Sequence, residues 1–243
     1  MEKINTKSFI LAVYARGNES SEKIALVLPG KLDTKDYPHM RSHVDFLANQ
    51  GFFALSFDPP GTWESPGGIE LYTMTNYLKA INELIGYFGN KPTILLGHSR
   101  GGSMAMLGAI TSPYVTHFVA VMSRAGERMP NKPMKAGDTS ISYRDMPGSP
   151  NEKKKFELPF SYFEDSARYN ILEGLKSCTK SKLFIMGTRD ITVKPEEVKA
   201  AYEAAAQPKE FREIDSDHDY RWHSDLIDKV NQIVGDFLSK REK

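Results

Sequence analysis

Thr93-Ile-Leu-Leu-Gly-His-Ser-Arg-Gly-Gly-Ser103 is the stretch that decides the fold. An apolar run, Ile94 to Leu96, meets Gly97-His98-Ser99-Arg100-Gly101, and a helical pattern follows. This is the G-x-S-x-G arrangement in a strand–turn–helix setting. The glycines give the sharp turn room and access to dihedrals that side chains penalise. Ser99 would stand in the open at a helix N-terminus, where free N–H groups and the helix dipole favour negative charge. The backbone N–H of Arg100 would face the oxygen that becomes an anion in acyl transfer.

Apolar runs suited to buried strands recur around it. Phe9 to Ala15 reads as an edge strand, Ile24 to Leu28 and Phe52 to Phe57 as strands buried on both faces. His117 to Met122, Leu183 to Met186 and Glu210 to Ile214 complete the set. Helices are expected at His39–Asn49, along the stripe Leu71, Met74, Leu78, Ile81, Ile85 and Phe88, and at Arg100 to Ile110. Three more are expected at Ser166–Leu175, at Pro195–Ala206 and across Leu226, Val230, Ile233 and Phe237. The alternation predicts an α/β class: a mostly parallel twisted sheet with helices on both faces, in one domain spanning 1–243. Ligands of such sheets bind at the carboxyl ends of the strands.

Between Ser123 and Asp165 the pattern breaks. Prolines 130, 133, 147, 150 and 159 and glycines 126, 137 and 148 punctuate a stretch that also carries Met129, Met134, Met146, Phe156, Phe160, Tyr162 and Phe163. It reads as an irregular lid or cap segment, 123–165, lending apolar side chains to a pocket. Lys153-Lys154-Lys155 reads as a solvated loop, and Arg124 as a candidate for a substrate carboxylate, with solvent exposure or an ion pair within the fold the favoured readings.

Composition narrows the class. A net charge of +1 gives no global field toward nucleic acid or anionic membrane. No run approaches the roughly 18 apolar residues of a membrane span. Lys3 and Lys7 before Phe9–Ala15 faintly resemble a signal peptide, but the run is short and a first strand is the better reading. Cys178 is the sole cysteine and sits in a polar stretch, which fits a reducing, cytoplasmic setting and argues against a thiol nucleophile.

Ser99 needs a base and the base an orienting acid. Among six histidines, His98 lies inside the turn and would point away from the reacting face, and His117 opens a strand. His39 and His43 have H-x-x-x-H spacing with Met40 where a protease carries glutamate and no third ligand, so they read as helix or cleft-rim residues. His223 should lie within the last helix. His218, in the loop past the last strand, is the base of choice, and Asp190, just past Leu183–Met186, the acid. Asp217 and Asp219 are too close in sequence to orient His218, and Asp215 is a reserve.

The order Ser99, Asp190, His218 with a G-x-S-x-G turn resembles the α/β-hydrolase family over about Ile24 to Leu238. The Gly97–Gly101 turn is similar to the esterase and thioesterase branches. Asp58-Pro-Pro-Gly61 with Ser65 resembles the family's D-x-x-G-x-G-x-S loop, Trp63 standing in for the second glycine. Pro29-Gly30-Lys31 occupies the place of the usual His-Gly after the third strand. The resemblance implies the α/β-hydrolase fold with a short lid after its sixth strand, and an oxyanion hole from the N–H groups of Arg100 and Lys31, with Leu32 next in line. It implies a serine hydrolase cleaving a carboxylic ester of a small or medium acyl group through an acyl-enzyme, with no metal or cofactor. Thioesterase, small-peptide hydrolase and non-hydrolytic binding protein are the alternatives, the partner in each case a small molecule. A homo-oligomer is left open.

Overall fold

The computed structural model describes residues 2–126 and 133–240. The chain enters through β1 (Lys3–Asn5), β2 (Ile10–Arg16) and β3 (Ile24–Leu28), followed by α1 (Pro38–Asn49) and β4 (Phe53–Phe57). Next come α2 (Met74–Tyr87), β5 (Thr93–His98), α3 (Arg100–Thr111) and β6 (Val115–Val121). An antiparallel hairpin, β7 (Thr139–Met146) and β8 (Ser149–Pro159), leads into α4 (Phe160–Ser166) and α5 (Ile171–Leu175). The chain closes with β9 (Ser181–Gly187), α6 (Pro195–Ala204), β10 (Lys209–Ile214) and α7 (Ser224–Ser239).

The main sheet runs β1-β2-β4-β3-β5-β6-β9-β10. From β4 to β10 all neighbours are parallel, and β2 alone turns against β1 and β4. Alternation within β3 explains why its apolar run is unbroken. Ala25 and Val27 face the layer holding Met40, Val44 and Leu47 of α1 and Val230, Val234 and Phe237 of α7. Ile24, Leu26 and Leu28 face the layer of α2, α3 and α6. Among the described residues no helix is long and apolar enough to cross a membrane.

Several expectations change. Ile10–Arg16 is second from the edge, because Lys3–Asn5 pairs outside it. Leu71 and Phe88 lie outside α2, which Thr73 caps by accepting the Asn76 N–H at 3.0 Å. The helix expected over Ser166–Leu175 is two short helices, α4 and α5, with the Asn170 side chain capping the second. Segment 123–165 is largely regular: its polar, alternating middle forms β7 and β8. Lys153 and Lys155 lie on β8, pairing with Asp145 and Glu157, and Lys154 rests over the Trp63 ring. Phe156, Tyr162 and Phe163 turn into the core. Met129 and Pro130 lie outside the described residues.

The turn after β5 depends on close backbone approach. A Cβ at Gly101 would lie 1.9 Å from the Leu28 carbonyl oxygen, and one at Gly97 would lie 2.1 Å from the Gly101 backbone. Neither glycine has positive φ; that conformation falls on Ser99 itself, at φ 53 and ψ −120. The glycines therefore supply space, and the serine carries the strain, worth about 1–3 kcal/mol. Gly101→Ala is expected to cost about 3 kcal/mol, a fall in Tm of about 6–12 °C, since backbone must move to relieve the clash. Gly51→Ala, where φ is +87 and a Cβ meets nothing within 4 Å, should cost only about 1 kcal/mol. Equal melting shifts for the two would contradict this account of the turn.

Candidate active site

Five strand ends deliver the site to one edge of the sheet. Ser99 leaves β5 and opens α3, its N–H donating to the Val121 carbonyl at 2.9 Å and its own carbonyl accepting the Ser123 hydroxyl. Asp190 follows β9, and His218 follows β10. The two loops are tied together: Thr188 N–H donates to Ile214 O at 3.0 Å and Arg189 N–H to Ser216 O at 3.0 Å.

The three side chains chosen from sequence converge. His218 Nδ1 lies 2.7 Å from Asp190 Oδ2, and His218 Nε2 lies 3.0 Å from Ser99 Oγ. Asp190 is buried, and its other oxygen accepts the N–H groups of Thr192 and Val193, both at 2.8 Å. A carboxylate only accepts, so Nδ1 carries the proton and Nε2 is left to accept from the Ser99 hydroxyl. The other acids fall elsewhere. Asp215 pairs with Arg189 at 2.7 Å in solvent, Asp217 accepts the Asp219 N–H, and Asp219 lies 3.2 Å from Arg221 Nε.

The loop after β3 faces Ser99. Leu32, at φ 58, donates its N–H to the Tyr72 hydroxyl at 3.0 Å. Trp63 Nε1 donates to the Leu32 carbonyl at 2.9 Å, and Asp58 accepts from Thr34 and from the Lys35 N–H. Trp63 itself has φ 48, in the left-handed region that glycine enters most readily. Arg100, first residue of α3, has an N–H with no acceptor inside the helix. Its side chain lies over the Tyr162 ring and donates to Ser166.

A family model described as the alpha/beta hydrolase fold matches residues 26–144. The chain is an α/β-hydrolase by fold. Its architecture superposes on Est1E from Butyrivibrio proteoclasticus with ferulic acid bound, with TM-score 0.83 and 19% identity over 99% of this chain and 98% of that one. Alpha/beta hydrolase domain-containing protein 10 from mouse gives TM-score 0.75 at 17% identity, covering 98% of both chains. The Pyrococcus furiosus esterase Pf2001 gives 0.70 at 21% identity, covering 98% of this chain and 90% of that one. No curated protein matches by sequence.

Behind His218 this α/β-hydrolase fold holds a buried cluster that sequence reading missed. His98 does not simply point away: its ring lies 4.8 Å from that of His218, and its Nε2 is 3.1 Å from the His218 carbonyl oxygen, to which it donates. His39 and His43 are fully buried on α1 rather than at a cleft rim. His43 donates to Asn231 at 2.6 Å and accepts from Tyr220 at 2.8 Å, whereas neither ring nitrogen of His39 has a hydrogen-bond partner among the described residues. His223 is the exposed residue before α7, not part of it. His117 is half-buried against Phe237. The signal for the cluster was the presence of three histidines in the turn and on α1, but spacing alone does not reveal a shared interior.

Asp33, His39 and His98 place one potential ligand atom each within 4.8 Å of one another. Arg144 Nε at 3.4 Å and Arg221 Nη1 at 3.8 Å already face Asp33, so its charge is compensated by guanidinium groups. Burial pushes the Asp33 carboxyl up, but the His98 contact and the charges of Arg144 and Arg221 outweigh it and hold it well below the usual carboxylate range. Burial drives His39 and His98 down, and takes His43 to about 4 against the opposing bond to Asn231.

A cavity of about 470 Å³ opens over Ser99 and His218. From segment 123–165 it receives Arg124, Gly126, Ser140, Arg144 and Phe163, so that wall is more polar than its methionines and aromatics suggested. Arg124 pairs with Glu197 at 3.0 Å and donates to the Thr192 carbonyl, so it forms the ion pair within the fold that was one of the expectations for it.

The buried imidazoles give stability a defined pH slope. His43 is neutral in the fold down to about pH 4, while the unfolded chain takes its proton near 6.5. Between those values the unfolded state binds more protons, so stability falls as pH falls, by at most about 1.4 kcal/mol per pH unit for each such group. His39 and His98 act in the same direction. Melting followed by circular dichroism from pH 7.5 to 4.5 should show a declining Tm below about 6.5, with a shallower decline in His43→Gln. An identical slope in the variant would contradict the assignment.

Proposed function

We propose that this protein is a serine hydrolase that cleaves a carboxylic ester of a small or medium acyl group through an acyl-enzyme on Ser99. The observation that carries the reading is the unbroken chain Asp190–His218–Ser99, at 2.7 and 3.0 Å, opening into the cavity at the carboxyl edge of the sheet. The fold is shared with Est1E, whose solved complex contains ferulic acid, and with the esterase Pf2001.

In this reading the Ser99 oxygen attacks the ester carbonyl while His218 Nε2 takes its proton. Asp190 holds the imidazole with Nδ1 protonated and stabilises its charged form. The N–H groups of Arg100 and Lys31 receive the developing oxyanion, each worth about 10²–10³ in rate. His218 then protonates the leaving alkoxide, and a water molecule, deprotonated by the same nitrogen, releases the acid. The hairpin of β7 and β8 serves as the cap over the acyl group, and the sole cysteine, buried Cys178, fits a cytoplasmic setting.

A panel of 4-nitrophenyl esters of graded chain length, with matched thioesters and anilides, tests the proposal. Wild type should hydrolyse the oxygen esters best and favour short to medium chains. Ser99→Ala, Asp190→Asn and His218→Ala should each lose about 10⁴-fold or more in kcat with unchanged circular dichroism. Folded wild type without turnover of any member, or Ser99→Ala retaining wild-type rates, would overturn the reading.

A further inference from the structure

The charge lining the cavity is one-sided. Among the described residues, Lys31, Arg100, Arg124, Arg144 and Arg221 bring five cationic side chains to its wall, against the carboxylates of Asp33 and Asp219. They come from five separate places: the loop after β3, the start of α3, the loop after β6, strand β7 and the short 3₁₀ turn Tyr220–Trp222. Such convergence in a concave site raises the local concentration of anions.

The cations are not equivalent. Arg124 is engaged by Glu197, and Arg221 by Asp145 at 3.0 Å and Asp219 at 3.2 Å. Lys31 and Arg100 are held against the ring of Tyr162, at 5.0 and 4.6 Å. Arg144 faces Asp33 through Nε at 3.4 Å and is anchored through the same nitrogen to the Lys31 carbonyl at 2.8 Å and through Nη1 to the Tyr143 carbonyl at 3.1 Å, so its engaged edge is Nε and Nη1. Its Nη2 has no hydrogen-bond partner among the described residues, and the side chain is 28% exposed. A guanidinium fixed by two of its nitrogens and open at the third is preorganised to receive a carboxylate.

We propose that the substrate carries an ionised carboxylate besides the bond that is cleaved, and that Arg144 recognises it. This rests on the serine-esterase reading for turnover, while the anion preference itself does not need turnover. Recognition by Arg144 places the carboxylate beneath the hairpin, on the Lys31 side of Ser99. The remaining cations add long-range attraction, which salt screens over about 10 Å at 0.1 M.

The test uses two pairs that differ only in charge. Mono-4-nitrophenyl adipate and its methyl ester place the charge on the acyl side. 4-Acetoxybenzoate and methyl 4-acetoxybenzoate place it on the alcohol side. In at least one pair the anion should show kcat/KM about 10-fold or more above its neutral partner, falling at least about 3-fold between 0.02 and 0.5 M salt. Arg144→Gln should collapse that ratio, Arg144→Lys should restore part of it, and Lys229→Gln, an equal loss of charge at an exposed position on α7, should leave it intact. Reading the ratio separates recognition from any disturbance of the Lys31 loop that slows both partners alike.

Calorimetry of the same four compounds with Ser99→Ala tests binding without turnover. Preferential binding of an anion with no hydrolysis by wild type would keep this proposal and sink the esterase reading. Hydrolysis with neutral esters bound and turned over as well as anions in both pairs would do the reverse. A ratio unaltered in Arg144→Gln would overturn the assignment to Arg144.

Discussion

The approach of α3 to the end of β3 is the contact on which the site depends. With Gly101 against the Leu28 carbonyl and Gly97 against Gly101, the chain reverses within two residues and leaves Ser99 in a conformation side chains rarely adopt. Its N–H is tied to β6 and its carbonyl to Ser123, so the neighbouring strand end holds the strained residue in place. Strain of this kind persists only where the surroundings over-determine it. The same contact sets the loop after β3 beside the serine, since the residue after Leu28 begins the Pro29-Gly30-Lys31 run.

A second constraint comes from the interior behind His218. His98, adjacent to Ser99 in sequence, donates to the backbone carbonyl of His218, so Ser99 and His218 share one internal strut. The cluster of His39, His43, His98, Tyr220 and Asp33 around it is costly to bury, and each neutral imidazole in it makes folding sensitive to acid. Guanidinium groups from β7 and from the turn after His218 compensate Asp33, linking the hairpin, the loop of His218 and the loop after β3 through one buried carboxylate.

Much of this was legible in the sequence because the sheet is buried on both faces. Unbroken apolar runs such as Ile24–Leu28 have one reading in that setting, and a strand followed by G-x-S-x-G locates the turn. Asp190 and His218 were legible because each sits just past a strand, and a parallel sheet sends those ends to one edge. The hairpin was not: β7 and β8 are two-stranded, largely exposed and rich in lysine, serine and glutamate, so they lack the apolar signature of the main sheet. Nor was the hydrogen bond from the Leu32 N–H to Tyr72, 40 residues distant. The cationic cavity was equally hidden, since its charges come from loops and strands scattered along the chain.

Reaction of the intact protein with a fluorophosphonate probe, followed by peptide mass mapping, tests most directly whether the hydroxyl is activated by its imidazole neighbour. One adduct on the peptide carrying Ser99, formed in wild type and lost in folded His218→Ala, is the predicted result. A folded wild-type chain that stays unmodified, or an adduct formed equally well without the imidazole, would contradict the account.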